Sequence, residues 1–335
     1  MTATGANPEA DLSRPAVVER LARVLGPHRV PGRFKIVADT SDFFRVDYHD
    51  VVILGQTPYL ISTCEREGRF GLDDEPKHWV RRATDLDSGA TVILKMVFLE
   101  RFQARVGGIV FDCYRSPKKE ARILDLVRGD LRFMQGRWVA DAGGNVVRIL
   151  DYIRGVRFDD WVLERAADHQ RYFQSHLREV LVIFLELARA IAWLHEHGEK
   201  HGDIRRDHIL LDRERGLCRW IDFDFDYVHH GESMAGYDLF GLGSILIFLV
   251  GGGDVTLDSL AATRPAVVDR LRPEDGHIIF KNRVASLRKV YPYLPGSLDF
   301  ILRHFSQGAE IFYDHADQFL ADLGAAIADL PAGDA

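Results

Sequence analysis

The chain has 335 residues, of which 47% are hydrophobic and 28% are charged. These proportions are typical of a globular protein that buries a core in two lobes or small domains, and they exclude a disordered or fibrous chain. The formal net charge of -7 at pH 7 argues against nucleic acid as a partner, because binding along a phosphate backbone requires excess positive charge.

The sequence indicates a protein of the cytoplasm. Cys64, Cys113 and Cys218 are widely spaced and match no disulfide or metal-ligand pattern, which suits a reducing compartment. The first 20 residues lack the apolar run of a secretory signal. The longest apolar run, residues 239–250, is too short to cross a bilayer. We therefore expect a buried core helix there and no membrane span.

The first half of the chain is predicted to be mostly β-structure. Apolar residues at helical spacing over 16–25, followed by Gly26-Pro27, predict an appended helix. A second helix opens at Ser116-Pro117 and ends near Gly129. Alternating apolar runs bounded by turn residues predict strands of an antiparallel sheet within residues 34–67, 79–85, 91–99, 133–140 and 146–152.

The second half is predicted to be mainly helical. Apolar residues from Val180 to Leu194 recur at three- and four-residue steps, and His197-Gly198 ends that helix. A small hairpin follows at 208–211 and 217–221. Further helices are expected at 239–250, 297–306 and 313–329. The predicted fold class is α+β.

Two short motifs contain the candidate catalytic and metal-binding carboxylates. Asp203 lies in His-Gly-Asp-Ile-Arg-Arg-Asp-His (201–208), and Asp222 lies in Ile-Asp-Phe-Asp (221–224). The carboxylates are 19 positions apart (222 minus 203), and each follows an apolar element. Phosphoryl-transfer enzymes place a hydroxyl-orienting base and a magnesium ligand in this way.

Further motifs occur in a fixed order around this pair. Lys95 ends Thr-Val-Ile-Leu-Lys, and Glu120 lies in Lys-Glu-Ala-Arg-Ile-Leu. Residue 149 begins Ile-Leu-Asp-Tyr-Ile-Arg-Gly, and residue 237 begins Tyr-Asp-Leu-Phe-Gly-Leu-Gly. Together they resemble the protein kinase-like superfamily over roughly residues 58 to 330, and the helix motifs are closest to bacterial-type Ser/Thr protein kinases. The catalytic loop and the short segment after Asp222 also resemble aminoglycoside phosphotransferases.

The resemblance implies a bilobal protein kinase-like fold, with an antiparallel β-sheet N-lobe that carries one αC helix and a mainly helical C-lobe. The corresponding domains are an N-terminal extension at 1–57, with a disordered tail, a short helix and extra strands, an N-lobe at 58–153 and a C-lobe at 154–330. ATP and Mg2+ are the implied cofactors, and Mn2+ is an alternative metal.

Carried over by motif, the catalytic and metal positions lie in the second half of the chain. Asp203 would orient the acceptor hydroxyl and accept its proton, and Arg205 would reach the transferred phosphate. Asp222 would bind Mg2+, and His208 stands where kinases place an asparagine that binds the second ion. Asp238 would brace the catalytic-loop backbone from beneath, which is a structural role.

The nucleotide positions lie in the first half and at its end. Lys95 and Glu120 would pair and fix the phosphates. The C=O of Asp151 and the N-H of Ile153 would bind adenine, and Gly68 and Gly71 would cover the phosphates. All these roles require Asp203 and Asp222 to converge on one cleft that faces Lys95.

Several departures from the family pattern keep alternatives open. Only two glycines remain in the phosphate-covering turn, and Asp73-Asp74-Glu75 follow them. His208 offers a softer ligand than an amide oxygen, and it would alternatively hydrogen-bond Asp203 or Asp222. Arg205 would alternatively be a solvated loop residue. The segment from Asp222 to Asp238 spans only 16 positions (238 minus 222) and lacks Ala-Pro-Glu.

The expected function is therefore a phosphotransferase that acts on Ser/Thr hydroxyls of a protein. One alternative is a small-molecule hydroxyl kinase of the aminoglycoside or choline phosphotransferase type. Another is a pseudokinase that binds a nucleotide or a partner without catalysis.

Overall fold

The computed structural model describes residues 12–67, 75–106, 109–228 and 236–332. Gly68 and Gly71, predicted to cover the phosphates, lie outside the described residues. The chain divides into two compact units. Unit 1 contains Met1–Leu99, Pro117–Asp130 and Met134–Tyr152, and unit 2 contains Glu100–Ser116, Leu131–Phe133 and Ile153–Ala335. The domain limits at 57/58 and 153/154 remain predictions.

Strands dominate the first half of the chain. Its helices and strands are, in chain order, α1 (Arg14–Leu25), β1 (Ile36–Val37), β2 (Val51–Leu54), β3 (Thr57–Glu67), β4 (Glu75–Asp85), β5 (Thr91–Lys95), β6 (Arg101–Val106), β7 (Ile109–Arg115), α2 (Pro117–Leu126), β8 (Gly136–Ala140) and β9 (Val146–Asp151).

Helices dominate the second half. Its elements are β10 (Gly155–Arg157), α3 (Phe158–Leu163), α4 (His169–Ser175), α5 (Leu177–Glu196), β11 (Ile209–Asp212), β12 (Leu217–Trp220), β13 (Phe225–Val228), α6 (Gly236–Gly251), α7 (Leu257–Thr263), α8 (Pro265–Val268), α9 (Gly296–Arg303) and α10 (Ala316–Ala328).

Unit 1 is built on a seven-stranded sheet in the order β1-β2-β3-β4-β5-β9-β8. Its neighbouring strands are antiparallel except for the short pair β1 and β2. Successive side chains of a strand point to opposite faces. On β2, Val51 and Ile53 accordingly pack with Val17 and Leu21 of α1 on one face. Val52 and Leu54 pack into a second cluster that includes strands β3, β4, β5 and β9.

Unit 2 is centred on two buried helices. In α5, the buried positions recur at helical spacing from Leu177 to Leu194, and Phe184 meets Phe319 of α10 edge-on at 6.4 Å between ring centroids. Helix α6 is buried on all sides over most of its length, as expected for the apolar run 239–250. None of the described helices combines the length and apolar character needed to cross a membrane.

Two three-stranded sheets complete unit 2. One has the order β10-β11-β12 and contains the predicted hairpin of residues 208–221. The other has the order β13-β7-β6 and joins the segment after Asp222 to a hairpin at 101–115. The sequence reasoning did not identify that hairpin, and it extended β5 to residue 99, whereas the strand ends at Lys95.

The observed elements confirm the predicted α+β class. Unit 1 is an antiparallel sheet with α2 at the place of the expected αC helix, and unit 2 is mainly helical. The predicted helix boundaries agree closely for α1, α2 and α5. The helix expected at 297–306 ends earlier, at Arg303.

Candidate active site

Asp238 organises the loop that carries Asp203. Its side chain is fully buried in the first turn of α6, and it accepts backbone hydrogen bonds from His201 N at 2.8 Å and Gly202 N at 2.9 Å. The Nε2 atom of His195 lies 3.0 Å from the same carboxylate. Gly202 has a φ of 88°, which favours glycine. The predicted bracing role of Asp238 is confirmed by these bonds.

A close contact between α6 and the loop of Asp203 explains why residue 241 is a glycine. A Cβ atom built on Gly241 would lie 2.6 Å from Ile204 Cβ and 2.8 Å from Ile204 O. Real Cβ atoms do not approach other heavy atoms so closely, so a larger residue would displace the loop next to Asp203.

The two motif carboxylates meet at one imidazole ring. His208 Nδ1 lies 3.7 Å from Asp203 Oδ2, and His208 Nε2 lies 3.7 Å from Asp222 Oδ2. His208 Nδ1 is also 2.9 Å from the backbone O of Asp203. Because a carbonyl oxygen only accepts hydrogen bonds, Nδ1 carries a proton in this contact. The structure thus brings Asp203, His208 and Asp222 together within unit 2.

Asp222 has an unusual backbone conformation. Its φ is 66°, and His49 is the other non-glycine residue with positive φ among the residues described. The left-handed region costs energy for a residue with a Cβ atom, and such strain is frequent at functional sites. The Asp222 side chain is 11% exposed and that of Asp203 is 17% exposed. Both carboxylates are therefore sheltered but reachable.

The donors at this cluster suit Mg2+. This ion prefers oxygen ligands and is commonly bound by one or two carboxylates together with phosphate oxygens and water. The carboxylate of Asp222 supplies such oxygens. His208 Nε2 is a softer donor, typical of Zn2+ sites and less suited to Mg2+. The carboxylate is thus the better ligand of the two predicted metal positions.

Arg205 binds a neighbouring aspartate. Its Nε and Nη2 atoms lie 3.0 Å and 2.5 Å from the two carboxylate oxygens of Asp207, which is a bidentate pair. Burial raises the pKa of Asp207, but His208 and Arg205 outweigh it, and the pKa is lowered overall. The contact of Arg205 with a transferred phosphate remains a prediction.

Unit 1 contains a buried cluster of three charged groups. Lys95 Nζ lies 2.8 Å from Glu120 Oε1, and Arg148 Nε lies 2.9 Å from Glu120 Oε2. The side chains are 5%, 0% and 1% exposed. The predicted pair between Lys95 and Glu120 is therefore present. Since Lys95 and Arg148 are direct partners on β5 and β9, both cations lie on the same face.

The sequence reasoning missed Arg148. It lies one position before Ile-Leu-Asp-Tyr-Ile-Arg-Gly, on a strand whose other residues are apolar except for the terminal Asp151, and a charge in a buried strand is itself a signal. Two formal positive charges and one negative charge leave the cluster with a net charge of +1. Such a balance favours an anion such as a phosphate.

The predicted adenine-binding residues lie at the end of β9 and just beyond it. Asp151 ends β9, and its N-H donates to Gln135 O at 2.9 Å. Ile153 is half-buried in unit 2. The adenine contacts of both residues remain predictions. It also remains a prediction that Lys95 faces Asp203 and Asp222.

Arg115 is a second residue that the sequence reasoning missed. Its Nη1 atom lies 2.7 Å from Asp224 Oδ1 and its Nε atom 3.1 Å from Glu100 Oε2. Burial alone would lower the pKa of Arg115, but the carboxylates of Asp224, Asp222 and Glu100 outweigh burial, and the pKa is raised overall. Asp224 is the last residue of Ile221-Asp222-Phe223-Asp224, two positions after the predicted metal ligand Asp222.

Comparisons with known proteins find similarity over part of the chain. No protein-family model matches the sequence. Putative serine/threonine-protein kinase A of Trypanosoma brucei brucei is 30% identical over 93 residues, which is 27% of this chain and 21% of that protein. Kinase B of the same organism is 29% identical over a segment of equal length.

Two further matches complete the comparisons. The 2-5A-dependent ribonuclease of Mus musculus is 30% identical over 94 residues, 28% of this chain and 13% of that protein. The PknI kinase domain of Mycobacterium tuberculosis aligns over 80% of this chain and 96% of its own, with 14% identity and a TM-score of 0.43. The chain spans about a fifth or less of the length of these curated relatives.

Proposed function

We propose that this chain, a relative of the protein kinase-like superfamily, is an ATP- and Mg2+-dependent phosphotransferase that acts on a hydroxyl group. The observation that carries the proposal is the placement of Asp203 and Asp222 at the two ring nitrogens of His208, each 3.7 Å away. Phosphoryl transfer depends on positioning and on charge compensation, and this pair offers one carboxylate for each task.

Asp203 is the candidate for the acceptor side. Its carboxylate is 17% exposed, on a loop fixed by the bonds of Asp238 to His201 and Gly202. A carboxylate held in this way orients the attacking hydroxyl and accepts its proton late in the transfer. His208 supports it by donating from Nδ1 to the backbone O of Asp203.

Asp222 is the candidate metal ligand, and His208 is the second. When bound, Mg2+ neutralises charge on the transferred phosphate. The backbone of Asp222 is strained, and Nε2 of His208 lies 3.7 Å from its carboxylate. Lys95 is the candidate phosphate-binding group of unit 1, where Glu120 orients its ammonium group.

The acceptor that we propose is a Ser/Thr hydroxyl on a protein, and the names of the two trypanosomal relatives support it. One structural observation favours the small-molecule alternative. Residues 225–228 after Asp222 are paired into a sheet with β7, which leaves few residues before α6 to dock a peptide.

The pseudokinase alternative is also supported by particular observations. His208 replaces the usual amide ligand, and its Nδ1 atom is engaged with Asp203 O. A curated relative is named for ribonuclease activity and not for phosphotransfer. A chain of this type would bind nucleotide without transferring its phosphate.

The test is transfer of label from γ-labelled ATP with Mg2+ or Mn2+. Acceptors are a set of unstructured proteins rich in Ser and Thr, and a set of aminoglycosides and amino alcohols. We expect Asp203→Ala and Asp222→Ala to lower transfer at least about 100-fold. Asp269→Ala, which alters an exposed residue after α8, is the matched control and is expected to retain wild-type transfer.

The outcomes separate the three alternatives. Label on protein hydroxyls supports the first proposal, and label on small molecules alone supports the second. Nucleotide binding without label on any acceptor indicates a pseudokinase. If the wild-type protein neither binds ATP nor transfers label, the phosphotransferase proposal is wrong.

A further inference from the structure

We infer that Arg115 is a positioning residue for Asp222. Arg115 fixes the segment that follows the Asp222 carboxylate, and Arg115 itself is held by the hairpin of β6 and β7. This inference rests on the proposed function of Asp222 as a metal ligand. It assigns a role to residues 100–106 and 109–116, which the kinase resemblance does not account for.

The first support is a buried ion pair next to the site. The side chains of Arg115 and Asp224 are 1% and 2% exposed, and Nη1 lies 2.7 Å from Oδ1. Asp224 is two residues after Asp222. The Arg115 guanidinium also lies 4.0 Å from the ring centroid of Phe225, the next residue along the chain. One side chain thus holds two consecutive residues after Asp222-Phe223.

The second support is the backbone. β13 pairs antiparallel with β7, and the register places Phe225 opposite Arg115 and Val228 opposite Asp112. One residue beyond β7, Ser116 N donates to Asp224 O at 2.5 Å. Asp224 is therefore held by its carboxylate and by its carbonyl at once, which leaves little freedom for the peptide that joins it to Asp222.

The same strand is also held by the chain that enters the catalytic loop. Lys200, the residue before His201, donates from Nζ to Tyr227 O at 2.5 Å and pairs with Asp226 at 3.1 Å. Tyr114 of β7 donates to Asp226 at 3.1 Å. β13 is thus fixed between the hairpin and the residues that lead to Asp203.

The strained conformation of Asp222 needs such support. A residue in the left-handed region keeps that conformation only when its surroundings determine it strongly. Directly after Asp222, the ring of buried Phe223 lies 4.6 Å from that of His201. Further along the chain, the bonds of Asp224 to Arg115 and Ser116 supply the second constraint. Removal of Arg115 would leave the buried Asp224 carboxylate without this cation, and the segment would rearrange to hydrate it.

A positioning role and a purely structural role predict different results. A structural role lowers stability without changing the dependence on metal. A positioning role changes the apparent affinity for the metal, because groups that orient a ligand typically alter metal affinity or activity about 10- to 100-fold. High metal concentration would then restore part of the lost activity.

The variants are Arg115→Met, which keeps the aliphatic stem, and Arg115→Lys, which keeps the charge with fewer donors. Asp224→Asn keeps the shape of the partner and removes its charge. The control is Arg101→Met, on the exposed part of the same hairpin. Two measurements are made on the full chain: transfer rate against Mg2+ concentration, and hydrogen-deuterium exchange of residues 222–228.

We expect Arg115→Met to raise the Mg2+ concentration for half-maximal rate about 10-fold or more and to accelerate exchange in 222–228, with α5 unchanged. Asp224→Asn should behave similarly, Arg115→Lys should be intermediate, and Arg101→Met should match wild type. If Arg115→Met does not fold, Asp224→Asn tests the positioning role through the same two measurements, the Mg2+ dependence of the rate and the exchange of residues 222–228.

Wild-type metal dependence and wild-type exchange in Arg115→Met or Asp224→Asn would overturn the inference. So would a uniform loss of stability with unchanged metal dependence. If the wild-type protein transfers no phosphate, the proposed function fails by itself, and the two measurements become Mn2+ binding and exchange. Unchanged Mn2+ affinity and exchange in the variants would then reject the role of Arg115.

Discussion

Glu120 lies between two cations and binds each with a different carboxylate oxygen. Lys95 and Arg148 come from adjacent strands, so the carboxylate keeps one partner when the other is removed. Arg148 therefore compensates the buried charge of Glu120 beside the ammonium group of Lys95, the candidate phosphate-binding group.

We predict that Lys95→Met lowers phosphotransfer about 100- to 1,000-fold, as expected for loss of a charge-stabilising donor, and leaves the protein folded. Glu120→Gln should lower the free energy of unfolding by about 3 to 5 kcal/mol, because two buried cations lose their counter-charge. Urea denaturation and transfer rates test both. If Lys95→Met were as unstable as Glu120→Gln, Arg148 would not compensate Glu120 in the way described.

His208 gives a second prediction at the scale of one residue. An asparagine there would offer an oxygen ligand near Asp222, and its amide N-H would still reach the Asp203 carbonyl. Because Mg2+ prefers oxygen ligands, we expect His208→Asn to raise the ratio of the rate with Mg2+ to the rate with Mn2+. Measurement of both rates in wild type and variant checks this. An unchanged ratio would argue against a metal ligand at position 208.

At the scale of elements, the close approach of Gly241 in α6 to Ile204 adds to the bonds by which Asp238 supports the loop of Asp203. Gly241→Ala would place a methyl group 2.6 Å from Ile204 Cβ. We expect a loss of about 1 to 3 kcal/mol in the free energy of unfolding, together with slower phosphotransfer, because Ile204 follows Asp203.

Gly324→Ala is the matched control for that substitution. Gly324 lies inside α10, and its added Cβ would meet nothing within 4 Å. Alanine there should stabilise the helix by up to about 1 kcal/mol and leave transfer unchanged. A Gly241→Ala protein with wild-type stability and rate would show that the loop adapts to the methyl group without cost.

The hairpin of β6 and β7 has a local signal in the sequence, whereas its pairing with β13 has none. Val106-Gly107-Gly108-Ile109 joins two short runs through a Gly-Gly pair, which is a known hairpin signal, so the hairpin was predictable. The pairing of this hairpin with β13 was not predictable. Arg115 and Asp224 are 109 residues apart in sequence, and no local pattern links them.

At the scale of the whole molecule, stability is expected to depend on pH through His277. Its ring is 1% exposed, and Nδ1 accepts hydrogen bonds from Ile279 N at 3.0 Å and Phe280 N at 3.2 Å. Burial lowers the pKa of His277 to about 4, the charge of Arg283 adds to this effect, and Asp254 opposes it. Protonation of Nδ1 would also break both accepted bonds.

The unfolded chain therefore binds a proton at this histidine near pH 6.5, whereas the folded protein binds it near pH 4. Between these values the unfolded state holds more protons, so stability falls as the pH is lowered, by about 3 kcal/mol in total. His277→Asn keeps an acceptor for the two N-H groups and cannot titrate. We expect urea denaturation to show a weaker loss of stability from pH 6.5 to pH 4 in this variant. An identical pH dependence would contradict the assignment.

Most of the fold follows from local patterns in the sequence. The apolar spacing of α5, the Pro that opens α2 and the turn residues between strands each act over a few positions, and they gave the α+β class. Within the site, the ion pair of Lys95 and Glu120 and the brace by Asp238 followed from motifs. The contact of Arg148 with Glu120 depends on strand register, and that of Arg115 with Asp224 depends on a distant partner, so neither contact could be read from neighbouring residues.

The N-terminal helix and the first two strands have a practical consequence for any shortened version of the protein. A fragment that starts at Pro58, the predicted lobe boundary, would lack β2, and the backbone of β3 would then be an open edge. The apolar side chains of Leu60 and Leu86, now covered together with Val17 and Leu21, would also face water. Open edges beside apolar surface recruit other chains, so expression trials should begin upstream of α1 to avoid insoluble material.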